Sequence, residues 1–107
     1  MVSLEALAHR LRNLLSEETV PSAGGTLQIV VTDTPTSLGS QKCRMVTIKS
    51  DSGNTDNVYI GFSADLSDAN GFPIEPGECI DIVVNDLSKV YVMSPSVAQK
   101  VYVMWLT

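Results

Sequence analysis

The stretch Gly71-Phe-Pro-Ile-Glu-Pro-Gly-Glu-Cys-Ile-Asp-Ile82 decides the class of fold. Two glycines and two prolines bracket short runs of alternating aliphatic residues, which is how a chain specifies reversals between half-buried strands. Upstream, Val58-Tyr-Ile-Gly61 has the same alternation, and downstream Asp86-Leu-Ser-Lys-Val-Tyr-Val92 repeats it. The region reads as strand, turn, strand, turn, strand. No reactive side chain sits at its turns, which points to architecture rather than chemistry.

The period of two extends outward in both directions. From Thr26, Leu27, Ile29 and Val31 share one face of a strand, while Gln28, Val30 and Thr32 share the other. A second strand near residues 43–49 turns Val46 and Ile48 inward, with Arg44 breaking that face near its edge. In a third, Val58, Ile60 and Phe62 alternate with Asn57, Tyr59 and Gly61. The turn-forming cluster Asp51-Ser-Gly-Asn-Thr-Asp56 between them predicts a hairpin. After a longer loop over residues 63–76, Ile80 and Ile82 face inward, then Val90 and Val92, then Val101, Val103 and Trp105. Asn85-Asp86 and Ser94-Pro-Ser96 supply the intervening turns. Reversals every ~8 to 12 residues predict a mainly β fold, an antiparallel β-sandwich or jelly-roll-like barrel of about six strands.

Only the N-terminus carries a helical period. Over residues 3–18, Leu4, Leu7, Leu11 and Leu14 recur at spacings of three and four, with Ala8 and Leu15 widening the stripe and Ser3 placed to cap it. Thr19-Val-Pro-Ser-Ala-Gly-Gly25 then stops the helix and supplies a joint. The chain divides into a helical arm and joint, residues 1–25, and a β domain, residues 26–107. A helix of ~15 residues is marginal alone in water, so its leucine stripe needs cover from its own body, a sister subunit or a larger scaffold.

Composition excludes several classes of function. At 107 residues and 44% hydrophobic, the chain supports one modest core and no second domain. A formal charge of −5 provides no basic patch to neutralise phosphates, so neither nucleic acid nor an anionic membrane is an expected partner. The start has neither the basic end nor the cleavage site of a signal peptide, and no run reaches the ~20 apolar residues of a membrane-spanning helix. Folding in a cytoplasm is the expectation. Cys43 and Cys79 form no disulfide framework and are read as reduced.

Catalytic groups do not assemble in the sequence. His9 lies on the polar side of the arm, without a cysteine or carboxylate at metal-ligand spacing. A triad would need the arm to dock beside a turn serine, and nothing in the sequence supports that. Asp51 with Asp56, Asp65 with Asp68 and Asn70, and Glu75 with Glu78 raise the question of calcium, but they miss the spacing of the twelve-residue loop, and turn formation accounts for them. No catalytic residue, cofactor, metal or small-molecule substrate is assigned.

A surface for other proteins is the stronger signal. Tyr102, Met104 and Leu106 make the nominally outer face of the last strand nearly as apolar as its inner one, and monomers seldom leave such a stripe bare. Val30, Val83 and Met93 add to it. Tyr59 and Tyr91, like Tyr102, fall on the parity opposite their strands' inward valines, and all three are read as marking a surface that another subunit covers. The helical arm folding back across the sheet is the alternative cover. The candidate interface is therefore Leu4, Leu7, Leu11, Leu14 and Leu15 with Tyr102, Met104 and Leu106.

Between Arg44 and Trp105 the chain resembles small β-sandwich structural proteins of tailed-phage virions. The matching features are the Val58-Tyr-Ile-Gly61 strand, the Gly71-Phe-Pro-Ile-Glu-Pro-Gly-Glu78 turn and the Asp86 to Val92 strand. Two positions depart from the pattern: Cys79 stands where a small polar residue is expected, and no glycine precedes Gln99-Lys100-Val101. The resemblance implies a non-enzymatic head decoration or cement protein, or part of a head fibre, on the capsid surface. Its implied partners are further copies of itself, as a homotrimer, and the major capsid protein. A receptor- or glycan-binding module of a fibre or tail tip, using the 63–76 loop and exposed tyrosines, is the alternative.

Overall fold

The computed structural model describes residues 23–107. Eight strands follow one another: β1 (Gly24–Val31), β2 (Thr36–Ser37), β3 (Met45–Ser50), β4 (Val58–Gly61), β5 (Phe72–Ile74), β6 (Cys79–Ile82), β7 (Tyr91–Met93) and β8 (Gln99–Leu106). A single 3-10 turn, Leu87–Lys89, precedes β7. All strand pairs are antiparallel, in two four-stranded sheets of order β1-β8-β3-β6 and β2-β7-β4-β5. The protein is mainly β and sandwich-like. The helix expected over residues 3–18 lies outside the described residues.

The two sheets meet over a core of β-branched side chains. Val31, Val46, Ile48, Val101 and Val103 come from the first sheet, and Val58, Ile60, Ile74 and Val92 from the second, with Leu38, Cys43, Leu87 and Val90 filling between. Each fully buried aliphatic side chain of this kind stabilises the fold by about 1.5–3 kcal/mol. Ile29, Ile80, Ile82 and Trp105 pack around this centre, half-buried. Leu27 and Phe62 share the inward parity but are exposed: β1 is the outermost strand of its sheet, and β4 ends at Gly61 before Phe62 is reached.

All six strands read from alternation are present, and two more lie in segments read as loops. β2 has two residues, and β5 carries Pro73, which an edge strand tolerates because one side of its backbone has no partner. The Glu75-Pro-Gly-Glu78 turn that follows is closed by Glu78 N donating to Glu75 O at 2.9 Å. Gly77 has φ +87°, as the third position of a type II turn requires.

The hairpin expected between residues 43–49 and 57–62 does not form, because β3 and β4 belong to different sheets. The segment between them is pinned to β8. Asn54 donates through Nδ2 to Lys100 O and Ser50 Oγ and accepts Lys100 N on Oδ1, each at 2.8 Å, standing in for a strand residue. The buried amide of Gln99 accepts from Thr55 N at 2.8 Å and Asp56 N at 3.2 Å. These bonds carry the chain across the end of the sandwich instead of turning it back on itself.

Before Gln99, at the place where the resembled pattern has glycine, Ala98 adopts φ +64°. A left-handed conformation costs a residue with a Cβ roughly 1–2 kcal/mol, part of which glycine's greater unfolded-state entropy offsets. Ala98→Gly is therefore expected to raise stability by up to about 1 kcal/mol, a thermal midpoint increase of roughly 4–8 °C for a domain of this size. A melt followed by circular dichroism checks it.

Candidate interaction surface

β8 lies between β1 and β3, so its alternation sets both the core and the outer face of the first sheet. Gln99, Val101 and Val103 are buried on the inner side. Tyr102 and Met104 point outward and are 43% and 47% exposed, and Leu106 beyond them is half-buried. Register places Tyr102 between Gln28 and Lys49, Met104 between Thr26 and Thr47, and Leu106 between Gly24 and Met45. Tyr102 and Met104 floor a shallow apolar trough along the sheet, rimmed by Thr26, Thr47, Gln28 and Lys49.

On the opposite, inner side of the sheet Gly25 sits under the indole of its cross-strand partner Trp105, whose ring leaves no room for a Cβ. The trough's chemistry is a flat apolar floor with hydroxyl, amide and ammonium groups at its rim. That is the make-up of a protein contact, with an apolar centre and a polar margin.

Of the residues expected at an interface, Tyr102, Met104 and Leu106 fall on this one face. Leu4, Leu7, Leu11, Leu14 and Leu15 lie outside the described residues. Tyr59 and Tyr91 are half-buried and belong to the second sheet, so the three tyrosines do not share a surface. Met93 is a correction: it is buried, beside the point where Ser94 N donates to Thr32 O and the two sheets are linked. Val83 is exposed just past β6, away from the trough. The sequence reading missed Thr26, Gln28, Thr47 and Lys49, because only strand register brings them beside Tyr102 and Met104.

The acidic loops are occupied with their own backbone. Asp56 accepts from Ser96 Oγ at 2.6 Å and Asn57 N at 2.7 Å. The Ser96 hydroxyl first, then the Asn57 N–H, hold its carboxyl below the usual range. Asp86 caps the 3-10 turn through Ser88 N at 2.9 Å and ties it to Gln41 N at 3.2 Å. Ser88's backbone N–H, then its side chain and the N–H of Gln41, lower the carboxyl of Asp86. Asn70 accepts Ser67 N, and Glu78 accepts Glu75 N. Among the described residues no three of His, Cys, Asp and Glu are grouped to hold a metal ion, and every buried side-chain nitrogen or oxygen has a hydrogen-bond partner.

Cys43 and Cys79 are both free thiols. Cys43 is buried and donates to Val84 O at 3.2 Å, and burial, then the nearby Asp86 charge, pushes its thiol pKa up. Cys79 is exposed on β6, at the sheet edge.

No protein-family model matches the sequence, and no curated protein matches it. Among solved structures, a chain from Bacillus endospore appendages, described as a novel family of disulfide-linked pili, is similar at a TM-score of 0.47 and 13% identity, over 78% of this chain and 85% of that one.

Two outcomes follow from this chemistry. A thiol reagent is expected to modify one cysteine of the native protein, Cys79, and both after unfolding, as counted by mass spectrometry. Asp56 and Asp86 titrate lower folded than unfolded, so the stability they supply is present above the ordinary carboxylate pKa of about 3.9 and is lost as pH falls through that value and on through their folded values. Asp86→Asn is expected to flatten the acid limb of the denaturation midpoint plotted against pH.

Proposed function

We propose that the chain is a non-enzymatic virion structural protein, a decoration or cement protein of a phage head that self-associates and binds across capsid subunits. The observation that carries this reading is the outer face of β8, with Tyr102 and Met104 exposed and Leu106 half-buried, on a body whose buried polar side chains are all satisfied among the described residues. Its polar interior is complete, and what is left over is apolar surface.

Two further features support it. Of the strands of the resemblance, Val58-Tyr-Ile-Gly61 is β4, the Asp86 to Val92 stretch is the 3-10 turn Leu87–Lys89 leading into β7, and the proline-glycine turn joins β5 to β6. The winding β1-β8-β3-β6 over β2-β7-β4-β5 matches an eight-stranded double-sheet jelly roll, an architecture of viral capsid and lectin domains. This is fold-level analogy, and the site decides between such roles.

In this reading the leucine stripe of Leu4, Leu7, Leu11, Leu14 and Leu15 clusters three chains, and the trough faces of the cluster rest on neighbouring capsid subunits. Each contact is small, and simultaneous engagement makes the weak contacts effective together. A glycan- or receptor-binding module on a fibre is the second reading, favoured by Phe62 and Phe72, which stand exposed at either end of the 63–71 loop. Saturable sugar binding lost in Phe72→Ala would support it over the first.

The full chain is expected to scatter light as three chains or a multiple of three, and Leu7→Asp with Leu11→Asp to abolish that clustering while leaving the β circular dichroism unchanged. A full chain with no three-fold species at any concentration overturns the clustering.

A further inference from the structure

Among the described residues, the first sheet ends in an undefended edge. β1 pairs with β8 on one side, and among the described residues no strand lies on the other. Thr107 N donates to Ala23 O at 2.7 Å, which makes Ala23 and Thr107 a hydrogen-bonded pair in register with the rest of the ladder. Bonded and non-bonded pairs alternate along an antiparallel ladder. The odd positions of β1 therefore bond to β8, and Gly24, Thr26, Gln28 and Val30 turn their N–H and C=O groups outward. Asp51 N donating to Lys100 O confirms the alternation on the far side of β8, where the even positions bond toward β3.

The other three edges are protected in the ways that keep sheets from joining. β2 is two residues long, β5 has three residues and Pro73, and β6 has four residues with Asp81 among them. β1 has eight residues and neither proline nor charge. It is also unusually bare for an apolar strand. Leu27, on the inward side, is 38% exposed, and Val30, on the outward side, is 60% exposed.

We infer that β1 is a dimerisation edge, which pairs antiparallel with β1 of a second copy about a two-fold axis through Leu27. The strand is self-complementary in this register. Gly24 meets Val30 and Thr26 meets Gln28 of the second copy, twice each, so all the outward backbone groups of both strands find partners. Centring the axis on Gln28 instead would set Gly24 against Thr32, past the end of the strand. On the inner side Leu27 faces its own counterpart, which covers both. On the outer side Val30 lies over the backbone of a glycine, and the two apolar troughs become continuous across a joined eight-stranded sheet.

This contact is separate from the proposed clustering through residues 4–15 and does not rest on the virion reading. Where both operate, the edge links clusters in pairs. A single strand edge is a small interface, so association is concentration-dependent.

The test is a disulfide scan of the full chain with Cys79→Ser as background. In the proposed register Leu27 faces Leu27 as a non-hydrogen-bonded pair, with Cα atoms about 4.5 Å apart, inside the roughly 4.4–6.8 Å window of disulfides. Leu27→Cys is expected to give a covalent dimer under mild oxidation. Val30→Cys, facing glycine, is expected to stay monomeric on a non-reducing gel. Thr26→Pro removes one outward N–H and leaves the β8 ladder whole, and it is expected to weaken dimerisation by tenfold or more in sedimentation. If that variant does not fold, the cysteine pair still decides. Equal cross-linking at Leu27 and Val30, or none at Leu27, overturns the proposal; a Leu27→Cys thiol that resists both oxidation and reagent would place the chain's own residues 1–22 on the edge instead.

Discussion

The alternation of β8 is the constraint on which the rest of the molecule depends. One side of that strand supplies Val101 and Val103 to the core, and the other supplies Tyr102 and Met104 to the surface. Its backbone bonds β1 on one side and β3 on the other. Because the period of a strand is two, a slip of one residue would exchange core and surface and break both ladders. The Asn54 and Gln99 side chains guard against such a slip, since they clamp the entry of β8 to the β3–β4 crossing.

The same arrangement accounts for how the polar side chains are used. Its polar side chains serve the turns: Asp86 caps, Asp56 anchors Ser96 and Asn57, and the buried Gln99 holds Thr55 and Asp56. Each is hydrogen-bonded within the fold. Among the described residues, the exposed apolar area of the first sheet runs from Tyr102 and Met104 toward Leu27 and Val30 at β1, while Phe62, Phe72 and Val97 are exposed outside this sheet. Side-chain area on the face and outward backbone groups on the edge adjoin.

The alternating apolar residues and their turns were legible along the chain. Val46, Ile48, Val90, Val92, Val101 and Val103 declare their face by parity alone, and the Pro76-Gly77 turn declares its geometry because so few residues tolerate it. Parity also placed Tyr102, Met104 and Leu106 outside. It misled for Met93, because whether an outward residue is covered depends on which chain segment crosses it. β2 and β5 escaped notice because strands of two and three residues have too little pattern to distinguish them from loops.

Pairing was the part that only the tertiary structure decided. A turn cluster such as residues 51–56 says that the chain changes direction but not whether it returns within one sheet or crosses to the other. Here long-range bonds from Asn54 to Lys100 and from Gln99 to Thr55 chose the crossing. The same holds for the candidate surface. The sequence by itself determined that β8 has an apolar outer face, since alternation is local. That β1 ends the sheet, and that Thr26, Gln28, Thr47 and Lys49 flank the trough, follow from strand order and register, which are set by contacts between residues far apart in the chain.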